Sequence, residues 1–254
     1  MASKSGAQTL TRAVRALKLL ARQTETGMRL VDIARDLQLA RPTAHRLLKA
    51  LLLEGMLVQD PATRRYTLGP LVFELGLASA HPFNLRDLCA PILGSLAAQT
   101  GDTAFLFVRS GNDAVCLSRV EGKYPLQTPS VPVGSRQPLG VSAGGLALLS
   151  SLPEAEVGKV LEAVAPRLSV YGNLDADEIR RLCERTQTLG YAWIANHAVP
   201  GVSAVGLPIY SASSTAVAAI TLAATPSRMT QLRVNALLPL LNNAAQQVMQ
   251  GLQQ

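Results

Sequence analysis

Two short amphipathic segments, at 30–37 and 42–54, constrain the fold of this chain most, and the chain breaks between them at Gln38, Leu39 and Ala40. In the first segment the apolar side chains recur on one side of a helix, at Leu30, Ile33, Ala34 and Leu37. In the second they form one stripe, at Ala44, Leu47, Leu48, Leu51 and Leu52. Pro42 is suited to open the second helix, and Gly55 to end it. The spacing therefore predicts two short helices joined by a tight turn.

The residues at the crossing of these helices fit a helix-turn-helix. Ala34 is small enough for two helices to approach closely, and Leu39 in the turn is placed to fill their shared core. An amphipathic helix is predicted upstream, at 9–22, and two short strands follow at 57–59 and 65–68, with a turn between them. This order of elements predicts a winged helix domain.

The side of the second helix opposite its apolar stripe is polar and basic. The candidate DNA contacts on that helix are Arg41, Pro42, Thr43, His45, Arg46 and Lys49, and those at the tip of the hairpin are Arg64 and Arg65. In a helix-turn-helix the second helix enters the major groove, where Arg46 has the reach for a bidentate contact to guanine. The alternative is an ordinary helical hairpin with a solvated basic face.

The distribution of charge favours the first of these interpretations. Residues 1–75 contain 12 Lys and Arg against 6 Asp and Glu, whereas residues 76–254 contain 12 against 11. A cationic excess confined to one end suggests a polyanionic partner, since phosphate neutralisation drives sequence-independent DNA binding. The alternative is a surface that only aids solubility.

The rest of the chain predicts an α+β domain built on an antiparallel sheet. We expect the winged helix domain at 1–69, a linker helix at 70–83 and the α+β domain at 84–254. The predicted helices of this last part are 84–99, 142–150, 153–164, 175–189 and 227–250, and the strands are 103–109, 114–120, 191–196, 203–210 and 215–223. Residues 121–140, rich in Pro and Gly, are expected to mix a strand with loops.

Several classes of protein are disfavoured by the sequence. Three widely spaced cysteines suggest buried thiols in a reducing compartment, and neither a secretory leader nor an apolar run long enough to span a membrane is recognised. We therefore expect a cytoplasmic protein that neither spans nor binds a membrane. The motifs of serine hydrolases, P-loop enzymes and zinc proteases do not occur, so we expect neither an enzyme nor a cofactor or metal site. A Cys183–His197 pair is left open as an enzymatic alternative.

Five segments of the chain resemble the IclR family of bacterial transcription regulators. The segments TRAVRALKLL, LVDIARDLQLARPTAHRLLKALLLEGML and RYTLGPLVFELG are similar to that family's first helix, helix-turn-helix, and wing with linker helix. VPVGSRQPLGVSAGGLALLSSL and LGYAWIANHAVPGVSAVGLPIY are similar to two segments of its effector domain. The resemblance implies a GAF-like effector domain, a homodimer or homotetramer, double-stranded operator DNA as partner and a small organic effector.

The resemblance also implies where an effector would bind. The candidate effector-binding residues are Ser142, Ala143, Gly144, Gly145, Ile194, Asn196, His197, Ser203 and Ala204. Small residues at a helix start leave N–H groups open to an anion, although they are equally suited to close packing. Arg109, Arg119 and Arg136 are candidate partners of a carboxylate, or else solvated at strand edges.

Three positions depart from the family pattern. Ile194 and Ala204 stand where relatives that bind small polar acids often have an acidic residue and a cysteine, which suggests a more apolar effector. Gln38 replaces the glycine that many members have in the turn, which is tolerated if the turn avoids a strained φ.

Overall fold

The computed structural model describes residues 3–21, 26–79, 85–125, 131–172, 174–195 and 200–253, with side chains described from residue 8 onward and not at 76–79. The chain divides into two compact units, Met1–Pro82 and Phe83–Gln254. Each unit has its own hydrophobic core.

The first unit is a helix-turn-helix with a small antiparallel sheet. Its elements are α1 (Ser3–Leu20), β1 (Met28–Arg29), α2 (Leu30–Asp36), α3 (Arg41–Leu53), β2 (Leu57–Gln59), β3 (Arg65–Leu68) and α4 (Pro70–Ser79). The strand order is β1-β3-β2, and the core contains fully buried Leu20, Ile33 and Leu48. The apolar stripe of α3 lies inward, as its periodicity predicts.

Two features of this unit differ from the sequence-based expectations. The first helix starts at Ser3 rather than at residue 9. Strand β1 was not predicted, because a strand of two residues is too short to show an alternating pattern. In the structure Met28 pairs with Tyr66, and this pairing joins the start of α2 to the hairpin.

The turn between α2 and α3 agrees with the predicted packing but not with the predicted backbone. Ala34 is buried at the crossing, and the Leu39 N–H donates to the Ala34 carbonyl oxygen over 2.8 Å. Gln38, however, has φ 55°, so the turn does use the left-handed conformation that glycine adopts more readily.

The second unit is a six-stranded antiparallel sheet with helices on both faces. The strands are β4 (Thr103–Ser110), β5 (Asp113–Val120), β6 (Arg136–Pro138), β7 (Ala192–Ala195), β8 (Ser203–Tyr210) and β9 (Ala216–Ala224), in the order β6-β5-β4-β9-β8-β7. The helices are α5 (Leu85–Thr100), α6 (Ala143–Ser150), α7 (Glu154–Val164), α8 (Ala176–Leu189) and α9 (Gln231–Gly251). Helices α6, α7 and α8 share one core with the sheet, and α5 and α9 share the other.

Two local features of the second unit were not predicted, and a third was implied by the predicted bounds of two helices. The last helix begins at Gln231 instead of 227, because Thr230 caps it and the preceding residues form a turn. Residues Ala165–Val170 form a short 3-10 helix after α7. Pro91 and Pro239 lie inside α5 and α9.

Candidate DNA interface and ligand site

The polar face of α3 is turned to solvent in the first unit. Arg41, Pro42, His45, Arg46 and Lys49 are exposed and Thr43 is half-buried, whereas the opposite stripe of α3 is buried. The cap residue Ala40 gives no side-chain hydrogen bond to the start of the helix, but its carbonyl oxygen accepts from the N–H groups of Thr43 and Ala44. The structure thus brings all six candidates of this helix onto one surface.

The tip of the β2–β3 hairpin is held by Asp60. Its carboxylate accepts hydrogen bonds from the Thr63 N–H (2.6 Å), the Ala62 N–H and the Thr63 hydroxyl. These bonds, led by that from the Thr63 main chain, lower the pKa of Asp60. Arg64 follows with φ 59°, and its side chain is exposed at the tip. A rigid turn therefore presents this cation.

Arg65 has a different environment from Arg64. Its side chain is half-buried, and its guanidinium donates to the Gly27 carbonyl oxygen over 2.8 Å. Arg65 consequently fastens the segment before β1 to the wing, and a contact of Arg65 with DNA stays a prediction.

A cleft next to this surface contains a basic residue that sequence reasoning missed. Its volume is about 320 Å³, and its lining includes Arg29, His45, Lys49 and Arg64. Arg29 precedes α2 directly and is exposed. The sequence signal for Arg29 was a basic residue directly before the first helix of the helix-turn-helix. The four cationic or polar side chains of this cleft are suited to contact a nucleic-acid backbone.

In the second unit, the start of α6 is tightly packed. The Ser142 hydroxyl accepts from the Gly145 N–H over 3.1 Å and caps the helix. A Cβ on Gly144 would lie 2.4 Å from Cδ2 of Phe107, so glycine is required there for close contact with β4. Ala143, Gly144 and Gly145 are all buried. The structure therefore shows close packing at Gly144 and a polar cap at Ser142, and anion binding at this helix start stays a prediction.

The register of the sheet places Ile194 and Ala204 together. Ile194 pairs with Ala204, and Ala204 pairs with Ala223, all packed in the core that α6 shares. Ser203 pairs with Ala224, which belongs to the opposite core, because alternate residues of a strand face opposite sides. This corrects the grouping of Ser203 with the ligand-facing residues. Asn196 and His197 lie outside the described residues.

Thr221 is a polar residue of the α6 side that sequence reasoning missed. It pairs with Phe105 and Gly206, and a Cβ on Gly206 would lie 2.6 Å from Cγ2 of Thr221 and 3.4 Å from the main chain of Ala143. Thr221 is buried. A single hydroxyl within an apolar strand gives no sequence signal, so only the pairing of strands reveals its position.

The three candidate arginines of this unit differ in their partners. Arg109 pairs with Glu156 over 2.7 Å, and Arg136 pairs with Asp113 over 3.2 Å. Arg119 pairs with Glu121 through a terminal nitrogen, and its Nε is buried without a hydrogen bond. Arg119 is therefore the arginine with an unused buried donor.

The cysteines have the character of core residues. Burial raises the pKa of Cys89 to about 12, and those of Cys116 and Cys183 to about 11. All three thiols are free and stay protonated near neutral pH, which does not suit a nucleophile. In the described ranges, no cluster of His, Cys, Asp and Glu is arranged to hold a metal ion. No helix there is long and apolar enough to cross a membrane.

Both units of the chain match models of known protein families. The IclR helix-turn-helix domain profile matches residues 9–61, and that of the bacterial transcriptional regulator IclR C-terminal domain matches residues 77–250. The HTH-type transcriptional repressor AllR of Salmonella typhi is 31% identical over 230 residues, which cover 90% of this chain and 84% of that protein.

Solved structures agree in fold over nearly the whole chain. An IclR transcriptional regulator from Alicyclobacillus acidocaldarius has a TM-score of 0.80 and 26% identity, with 96% of this chain and 98% of that chain covered. An IclR homologue from Microbacterium hydrocarbonoxydans, solved with 4-hydroxybenzoate, has a TM-score of 0.77 and 23% identity, with 96% and 99% covered.

Proposed function

This chain belongs to the IclR family of bacterial transcriptional regulators, and we propose that a small organic effector controls its binding to a double-stranded operator. The cationic face of α3 reads the major groove, and the wing contacts the neighbouring backbone. The observation that carries this proposal is the exposure of Arg46 on the face opposite the buried stripe. The relatives of this chain are named as regulators rather than enzymes. We propose that this chain is also a regulator without enzymatic activity and that it acts in the cytoplasm.

The effector is a carboxylic or aromatic metabolite that binds in a GAF-like C-terminal domain, on the side of the sheet that faces α6. The apolar surroundings of Ile194, Ala204 and Phe105 support a ligand with an apolar body. The structural neighbour solved with 4-hydroxybenzoate supports the same class. Ser142 remains a candidate polar contact, because its hydroxyl proton is not used in capping.

The active species is a homodimer or homotetramer. Support comes from large apolar side chains exposed on the first unit, among them Leu10 and Val14 on one side of α1 and Phe73 on α4. Exposed apolar side chains of this size favour self-association, and a dimer supplies two recognition helices for the half-sites of a palindrome.

Operator binding is tested with Arg46→Ala. Duplexes are first selected by the wild-type protein from a random-sequence library, and their Kd values are then compared by fluorescence anisotropy. If Arg46 reads a guanine, its loss weakens binding to selected duplexes by about 1–3 kcal/mol and relaxes the sequence preference at one position.

The matched control is Arg86→Ala, which removes an exposed arginine from α5 of the other unit and is expected to leave both quantities unchanged. An equal loss of affinity on all duplexes would instead assign Arg46 to phosphate contact. Failure of the library to yield any preferred sequence would overturn the operator proposal.

A further inference from the structure

Unsatisfied buried polar atoms are concentrated in one part of the second unit. Over the described residues, six buried side-chain atoms have no hydrogen-bond partner. Four of them belong to β5 and to the segment that pairs with it, but one of the four, Asp113 Oδ1, lies 2.8 Å from a guanidinium nitrogen of Arg167. The three that remain are Arg119 Nε, Ser135 Oγ and Gln137 Oε1, and the other two atoms lie apart, at Trp193 and Arg233. Burying such a group without a partner destabilises the folded state, and folded proteins contain few of them. Three on one strand pair therefore call for a partner.

Strand pairing places these three atoms on one face of the sheet. Arg119 pairs with Phe105, and Gln137 pairs with Ala114, and both of these partners are in the core that α6 shares. The Cys116 N–H donates to the Ser135 carbonyl oxygen, and Cys116 belongs to the same core. Paired residues of an antiparallel ladder project to the same side, so all three side chains face the side on which the effector is proposed to bind.

An independent contact supports this orientation. A Cβ on Gly145 of α6 would lie 3.3 Å from the Cβ of Ala114. Ala114, which projects to the same side of the sheet as Gln137, therefore approaches the start of α6. Glu121 engages a terminal nitrogen of Arg119 and leaves Nε for another acceptor.

The chemistry of the three groups is specific. Arg119 supplies a charged N–H donor, Ser135 a hydroxyl that donates or accepts, and Gln137 a carbonyl acceptor. Phe105 and Phe107 stack at 5.8 Å between ring centroids and offer an apolar surface beside them. Two donors, one of them cationic, suit a carboxylate, whereas the glutamine oxygen suits a hydroxyl or N–H donor.

We propose that Arg119 and Ser135 bind the carboxylate of the effector and that Gln137 accepts a hydrogen bond from a second polar group at another position of an apolar or aromatic body. This assignment rests on the proposed effector site and defines its ligand class as hydroxylated or amino-substituted organic acids. It also explains how Ile194 and Ala204 can be apolar in a site for an acid, since the polar contacts come from β5 and β6, towards the other edge of the same face of the sheet.

The test measures binding of four probes to the full-length protein by isothermal titration calorimetry: 4-hydroxybenzoate, benzoate, 4-hydroxybenzamide and cyclohexanecarboxylate. We expect the acids to bind more tightly than the amide. Arg119→Gln should raise the Kd of the acids at least about tenfold and change that of the amide little, because it removes a charged hydrogen bond. Gln137→Leu should abolish the preference for 4-hydroxybenzoate over benzoate, and Ser135→Ala should weaken all the acids.

Arg86→Gln is the matched control, since Arg86 is exposed on α5, which packs against the other face of the sheet. It should leave all four Kd values unchanged. Circular dichroism checks that each variant folds, and Arg119→Met replaces Arg119→Gln if the latter does not. Unchanged binding of the acids to the Arg119 and Gln137 variants overturns the proposal, as does failure of wild-type protein to bind any acid. Either result leaves operator binding intact, because that is measured without a ligand.

Discussion

At the scale of single residues, the backbone of the DNA-binding unit carries strain at two functional turns. Gln38, between α2 and α3, and Arg64, at the wing tip, both have positive φ angles near 55–59°. An L-residue pays about 1–2 kcal/mol in this region, and glycine does not. The surrounding hydrogen bonds, such as that from the Arg64 N–H to the Asp60 carbonyl oxygen, hold these conformations in place.

Gln38→Gly is expected to stabilise the first unit by about 0.5–1 kcal/mol, because relief of left-handed strain exceeds the added entropy of glycine in the unfolded chain. Gln38→Val should destabilise it, since a β-branched side chain tolerates a positive φ least. Urea unfolding followed by circular dichroism measures both. A glycine variant less stable than Gln38→Ala would contradict the explanation.

At the scale of secondary structure, helix α6 connects packing to the proposed ligand site. All eight residues of α6 are buried, and the helix begins directly against the sheet at Gly144 and Phe107. An added methyl group at this position requires movement of the aromatic ring or of the helix. The start of α6 is thus fixed by contact with β4, which keeps Ser142 at a defined position.

Gly144→Ala is expected to destabilise the protein by about 1–3 kcal/mol, through overpacking against Phe107. Gly94→Ala in α5 is the matched control. A Cβ there meets no atom within 4 Å, so alanine should stabilise the protein by about 0.8–1.0 kcal/mol through helix propensity. Thermal unfolding compares the two, and similar effects of both substitutions would refute the packing argument.

At the scale of the whole molecule, the proposed homodimer or homotetramer would couple DNA binding to association between copies. The apolar side chains exposed on the DNA-binding unit include Phe73, at 68% exposure, and Leu10, also at 68%. We propose that other copies of the chain cover such residues in the oligomer. Operator affinity and self-association would then be linked, since a dimer engages two half-sites at once.

Phe73→Ser is expected to raise the Kd for self-association at least about tenfold, given that burial of a phenylalanine contributes about 1.5–3 kcal/mol. Sedimentation velocity over a concentration series measures the change. Val170→Ser is the control, because Val170 is 78% exposed on the other unit and has no proposed role in association. An oligomer unaffected by Phe73→Ser, or equally weakened by Val170→Ser, would locate the interface elsewhere.

The sequence alone determined the elements that depend on local pattern. Helices α2 and α3, the hairpin β2–β3 and most elements of the second unit lie within a few residues of their predicted bounds, because apolar periodicity, Pro, Gly and capping residues act over a few positions. The polar face of α3 followed from the same periodicity. Membership of the IclR family was also predicted from quoted segments, and matches to both units confirm it.

Only the tertiary structure decided which side chains share a surface. The separation of Ser203 from Ala204, the position of Thr221 and the alignment of Arg119 with Gln137 all depend on strand pairing between distant segments. The left-handed φ of Gln38 likewise follows from how α2 and α3 pack. Register and packing are set by long-range contacts that sum over many residues, so no local pattern encodes them.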